Sequence, residues 1–279
     1  DEVTGTGIIV NEKTGNIIKN NTLSNNTKHG IYVRTISDQS NQITSNTANS
    51  NVADGIHVDS LGSSSNTISS NNIDGSGELG IYIASEGSSS NIMYSNNIDD
   101  SGVIGINILS EDSSSNTISS NNIDDSGAVG IGIISNGNSV NTISSNDVDS
   151  IDQTGIFIES KVSSSNVISS NSVDGSGEVG IYIETYNLSS NTISSNNVDG
   201  SGADGIEIES NDDSTNQISS NTISNSGTSN ITSKARETSN ITIQNNIFSG
   251  TGGKTNVAGN TTSIENVIID ADQLNPILP

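Results

Sequence analysis

The chain has 279 residues, of which 29% are hydrophobic and 3% aromatic, with a formal net charge of −24. So polar and acidic a composition cannot build one thick core, and on its own it describes a disordered chain. It also excludes nucleic acid and anionic membrane surfaces as partners. The absence of cysteine removes disulfides and thiolate metal sites, and no apolar run is long enough for a transmembrane helix.

A thin core reused many times would rescue this composition, so a repeat is the deciding test. From residue 16 the chain falls into rows of 25. Asn16, Asn41, Asn66, Asn91, Asn116, Asn141, Asn166, Asn191 and Asn216 form one column, and a second runs from Asn21 to Asn221. Glycines at 30, 55, 80, 105, 130, 155, 180 and 205 form a third. One apolar column runs from Ile18 through Met93 to Ile218, and another from Leu23 through Ile73 to Ile223, with Ala48 its weakest member. The third wall alternates as G-I-x-I, for example Ile81 and Ile83.

Alternation at period two, bounded by Gly, Asn, Asp and Ser, predicts strands of two to five residues with one buried face. No 3.6-residue stripe supports a helix. The fold expected is all-β: a right-handed single-stranded parallel β-helix of about 10–11 coils with three short parallel sheets. Strands stacked ~4.8 Å apart would make a rod of roughly 50 Å. Each coil offers about five apolar side chains, so stability must accumulate by stacking of neighbours. Asn columns predict amide ladders. Ser60, Ser85, Ser110, Ser135, Ser160, Thr185 and Ser210 predict a hydroxyl ladder, and the Gly column a bend where a Cβ would clash or φ must be positive. Residues 1–279 form one domain, with regular coils over 16–225. Irregular C-terminal coils and a cap follow over 226–279, including Val267–Ile269 and Leu274–Pro279.

The row N-x-I-x-x-N-x-I/V-D followed by G-I-x-I resembles the parallel β-helix repeats of NosD-like and pectate-lyase-like surface proteins over residues 16–250. The resemblance implies an exported protein of the archaeal, methanogen type. It leaves function open, since this fold carries lyases, hydrolases, adhesins and scaffolds. A start at Asp1 and sequons at Asn20, Asn25, Asn187, Asn230, Asn240 and Asn260 agree with an extracellular or cell-surface location.

Lyases of the fold imply an Arg or Lys base near acidic residues, and hydrolases imply grouped carboxylates. This chain has eight basic residues and none, nor any His, between His57 and Lys161. Lys28, His29, Tyr32, Arg34, His57 and Asp59 form one early cluster, in which a general base is conceivable and a decorated outer face is the blander reading. The repeat runs unbroken through its centre, where catalytic sites usually interrupt. The expectation is therefore a non-enzymatic, self-associating subunit of a surface layer, sheath or filament, with copies of itself as partners and no required cofactor. The alternative is a carbohydrate-binding or adhesive module that uses Tyr32, Tyr82, Phe157 and Tyr182 as platforms on a cell-surface polysaccharide. A lyase or hydrolase relative, or an ice-binding face at Thr67/Ser69 and Thr117/Ser119, ranks lower. Asp74, Asp99, Asp124, Asp149, Asp174 and Asp199 stack at one turn, where neighbours ~5 Å apart repel by about 1 kcal/mol each in water. The side chains either splay into solvent, accept hydrogen bonds from the Ser and Gly amides of the turns, or hold Ca²⁺ that bridges adjacent coils, the metal such a column would take.

Overall fold

A computed structural model describes residues 5–13, 15–36, 40–251, 253–259, 261–264 and 266–269. The three walls become three parallel sheets. The first, of 11 strands, runs from Ile17–Lys19 to Thr261–Ile264. The second has 10 strands, from Thr47–Asn49 to Val267–Ile269, and the third has 11, from Ile8–Asn11 to Gly253–Gly259. Each strand pairs with its equivalent one coil away, as Asn91 pairs with Asn116 and Ile106 with Ile131. Third-wall strands reach seven residues, as in Ile104–Ser110, longer than expected because the G-I-x-I alternation continues to the serine column.

The core is thin and nearly all isoleucine. A typical coil buries Ile118, Ile123, Ile131 and Ile133 completely, four side chains where five were expected. The Asn columns explain why so small a core suffices. Asn96 Nδ2 donates to Asn121 Oδ1 at 2.9 Å and to the Ile68 carbonyl at 3.0 Å, while its Oδ1 accepts from the amide and side chain of Asn71. Every donor and acceptor of that buried amide is used, so the ladder carries none of the cost of an orphaned polar group.

The serine column does not form its own ladder. Ser60 Oγ accepts from Asn66 Nδ2 and donates to Asn91 Oδ1 at 3.0 Å, and Ser160 Oγ repeats this with Asn166 and Asn191. The hydroxyls stitch successive asparagines together because an amide is the stronger partner for each.

Between the first and second walls each coil turns through a left-handed residue: Ser70 at φ 56°, Ser95 at 54° and Ser120 at 54°. An L-residue there costs roughly 1–2 kcal/mol. The asparagine that follows, locked on both sides by its ladder, holds the turn. The column glycines have another reason. Gly30 has ordinary φ, but a Cβ on it would stand 2.7 Å from the Gly55 carbonyl oxygen and 2.9 Å from Asn51 Nδ2. Close packing of coils, not backbone handedness, excludes a side chain there.

Past 225 the coils continue with altered columns. Ile241 takes the place opposite Asn216 and is fully buried, and the second ladder continues from Asn221 through Asn246 to Asn266. One ladder is traded for packing while the other keeps the register. The strand Val267–Ile269 pairs with Ile247–Ser249 and extends the stack. The expected cap at Leu274–Pro279 lies outside the described residues.

Candidate active site

The first coils depart from the repeat in composition while keeping its geometry. Register sets Tyr32, His57 and Tyr82 side by side on the outer face of the third wall, with Arg34 and Asp59 in the neighbouring row. The rings form a continuous stack: His29 and His57 have centroids 4.7 Å apart, Tyr32 and His57 5.3 Å, and His57 and Tyr82 4.7 Å. Tyr32 is only 7% exposed, so it is not the open platform expected of it.

The centre of the cluster is Asp54, which is 3% exposed. Its Oδ1 accepts the Leu79 amide at 3.2 Å, which fixes the carboxylate across two coils. Its Oδ2 lies 2.7 Å from His57 Nδ1 and 3.2 Å from His29 Nδ1. The far nitrogen of His57 sits 3.4 Å from Asp59 Oδ1, and Tyr32 donates its hydroxyl to Asp59 Oδ2 at 2.7 Å. Arg34 turns away to pair with Glu12.

These contacts set the charges. Burial alone would lower the His57 pKa, but hydrogen bonds and charge from Asp54 and Asp59 outweigh it and raise it to about 9. Burial pushes both carboxyls up, and the imidazole contacts, joined at Asp59 by the Tyr32 hydroxyl and the Arg34 charge, more than reverse this, holding Asp54 and Asp59 below the usual carboxylate range. His57 is therefore a fixed cation at neutral pH, with each ring nitrogen committed to a carboxylate. His29 is different. Its Nδ1 faces both the Asp54 amide, at 3.3 Å, and Asp54 Oδ2, at 3.2 Å. A bare Nδ1 accepts from the first and an N–H there donates to the second, so either tautomer of the ring keeps a partner at that nitrogen.

The cluster opens into a cleft of about 440 Å³ lined by Lys28, His29, Ala53, Asp54, His57, Glu78, Leu79 and Tyr82. Donor atoms of His29, Asp54 and His57 lie within 4.8 Å of one another, a spacing that would also suit a metal ion. The commitment of both His57 nitrogens and Asp54 Oδ2 makes the arrangement a hydrogen-bonded network first.

Of the residues singled out from sequence, His29, Tyr32, His57 and Asp59 come together, Lys28 reaches the rim and Arg34 does not join. Asp54 and Glu78 were missed. Asp54 carried a signal: the position before the column glycine is apolar at Leu79, Ile104, Val129 and Val179, and acidic only at Asp54 and Asp204.

The six aspartates Asp74, Asp99, Asp124, Asp149, Asp174 and Asp199 begin in the coil that carries Tyr82 and run along the second wall, with Asp74–Asp99, Asp124–Asp149, Asp149–Asp174 and Asp174–Asp199 in register. Partial burial and then the charges of their neighbours raise the carboxyl pKa values of Asp99 and Asp174, the direction repulsion predicts.

Solved structures with this architecture include a point mutant of the periplasmic alginate epimerase AlgG, with a TM-score of 0.69 at 14% identity. That match covers 86% of this chain, which spans 62% of the epimerase. The A-module of the Azotobacter vinelandii mannuronan C-5 epimerase AlgE4 matches with a TM-score of 0.53 at 11% identity, covering 95% of this chain and 87% of its own. The Dettilon tailspike protein matches at 0.54 and 13% identity, covering 94% of this chain and 62% of its own. A comparison with curated protein sequences finds no match.

These likenesses establish the fold, and they overturn the expectation of a non-enzymatic, self-associating scaffold. The architectures that superpose are polysaccharide epimerases and tailspikes, one of the latter described as an enzymatically active domain. The cleft sits at one end of the stack, where substitutions within intact columns, not an inserted loop, create it. The right-handed β-helix region family matches residues 1–139 and 108–269, and the chain belongs to that family.

Proposed function

We propose that the protein binds a polysaccharide in the cleft over its first coils and carries out proton-transfer chemistry on it. The observation that carries this reading is the cleft itself, in which the buried Asp54 carboxylate holds His29 by its Nδ1 beside Glu78 and Tyr82. With Nδ1 of His29 held by Asp54, a proton exchanged with substrate would move at its other ring nitrogen. His57, held as a cation between Asp54 and Asp59, fixes the Asp54 carboxylate that orients His29. Tyr82 offers a ring face for a sugar, and Glu78 and Lys28 bond its hydroxyls from the rim. The periplasmic and tailspike likenesses support a protein that works outside the cytoplasm.

The test is a panel of polysaccharides incubated with protein in D₂O and followed by NMR. Solvent deuterium entering sugar carbons reports epimerisation, and new chain ends report cleavage. Turnover that His29→Ala abolishes is expected. The reading fails if no polysaccharide binds, or if turnover survives both His29→Ala and Asp54→Ala.

A further inference from the structure

The row of outward residues that begins at His57 and Tyr82 continues along the rod as Asn107, Gly132, Phe157 and Tyr182, each paired with the next. Phe157 and Tyr182 form a second ring pair with centroids 5.6 Å apart. Between the two aromatic stations the row drops to an amide and then to no side chain. Gly132 is not required for packing: a Cβ there would meet Asn107 Oδ1 at 3.5 Å and Ile104 Cδ1 at 3.7 Å, ordinary contacts, and its φ is not left-handed. The parallel row beside it presents half-buried Leu109 and Ile134. The face thus has a ring station at the cleft, a shallow apolar track, and a second ring station three coils on, ~14 Å along the axis from Tyr82 to Phe157.

The charge along this track is one-sided. Asp54, Asp59, Glu86 and Glu111 act on Tyr82, and Glu184, Glu207 and Glu209 act on Tyr182. Lys161 pairs with Glu159, Lys234 bridges Glu207 and Glu209, and Arg236 lies against Glu209. No Lys, Arg or His stands between His57 and Lys161. Recognition of a carboxylated sugar relies on Arg or Lys forks, and this stretch supplies none. Sugar rings stack on aromatic faces without needing charge, and an ammonium group gains further attraction from ring faces and glutamates.

We infer that Phe157 and Tyr182 form a distal subsite for the polysaccharide bound at the cleft, and that the glycan lies along the rod axis and is non-acidic, built of neutral or amino sugars. This rests on the cleft being the polysaccharide site. A disaccharide occupies only the cleft, whereas a longer oligomer spans both stations.

Calorimetric titration of the whole protein with chitosan, cellulose and alginate oligomers, each as a disaccharide and an octasaccharide, tests it. Octasaccharides of chitosan or cellulose should bind at least tenfold more tightly than alginate at low salt, with the gap narrowing as salt is added. The double variant Phe157→Ala/Tyr182→Ala should cut octasaccharide affinity about tenfold and leave the disaccharide unchanged, with circular dichroism confirming the fold. Tighter binding of alginate overturns the charge argument. Equal loss for both lengths, or none for either, overturns the distal subsite. Binding of no glycan overturns the cleft reading itself, and with it this inference.

Discussion

The tetrapeptide Ala-Asp-Gly-Ile occurs twice, at 53–56 and at 203–206, and the two copies do different work. In both, the aspartate is buried before a column glycine and its Oδ1 accepts the amide of the equivalent residue one coil on, Leu79 for Asp54 and Ser229 for Asp204. That shared bond is structural. At Asp54 the coil before contributes His29 and the same coil His57, so the free oxygen of the carboxylate holds two imidazoles. At Asp204 those positions are Val179 and Glu207, and the aspartate remains a cap. A site is made here by changing two neighbours of a structural residue, with no change to the backbone.

The largest effect should come from separating the two copies. Asp54→Ala should abolish turnover and cost about 3 kcal/mol, since it strips a buried ion pair of one partner. Asp204→Ala should cost about 1 kcal/mol, the worth of its cap, and leave glycan binding intact. Urea denaturation and calorimetry of the two variants check this, and equal effects on binding would erase the distinction.

The second prediction uses pH. The folded pKa of His57, about 9, lies above the unfolded value near 6.5, so its stabilising contribution is full below ~6.5 and is lost as pH rises through about 9. Asp54 and Asp59 shift the other way, so theirs is present above ~4 and lost as pH falls through their lowered values. Melting temperature should fall on both sides of that window. His57→Gln should flatten the alkaline limb, an effect that no variant at Asp204 can reproduce.

The aspartate column extends the comparison to carboxylates with no cation beside them. The raised pKa values of Asp99 and Asp174, from partial burial and then from neighbouring charge, mean that these two carboxylates destabilise the fold at neutral pH and are relieved as pH falls through the folded values, the opposite sign to Asp54. Asp99→Asn with Asp174→Asn should therefore raise stability by a few tenths of a kcal/mol after solvent screening, as read by melting at pH 7. Ca²⁺ bridging would reverse this: in millimolar calcium the wild type would then gain more than the variant.

The smallest effect is expected at Ser126, one of a column of buried hydroxyls, with Ser76, Ser101, Ser176, Ser201 and Ser226, that have no hydrogen-bond partner. Ile151 already fills the same position in one coil. Ser126→Ala should stabilise by about 0.5 kcal/mol, because it removes an unpaired polar atom, and a melting curve suffices to see it.

The fold was legible because each feature that builds it recurs eight or nine times. Asn96 could be placed without knowing its neighbours, since Asn71 and Asn121 say the same thing. Register, core and the turn glycines all followed from that redundancy. The cleft was only half legible because it occurs once. His29 and His57 stand out by type, but Asp54 is one acidic residue among 32 and earns its role only from what the adjacent coils place against it. Tyr32 was misjudged for a related reason: its row faces outward, yet at this end of the stack His29, His57 and Asp59 cover it. The serine column was misread because a column alone does not reveal that an amide six residues away is the better partner.

Because the coils between Tyr82 and Phe157 are interchangeable, the distance between the two ring stations is a quantised length. Excising residues 101–125 would rejoin like with like, Asp100 to Ser126, with both ladders and the isoleucine columns restored. The second station would then stand one rung nearer the first. Duplicating the same stretch would move it one rung away. Chain extension in whole coils is thus a ruler, on which the shortest glycan able to reach both stations is read in steps of one strand spacing.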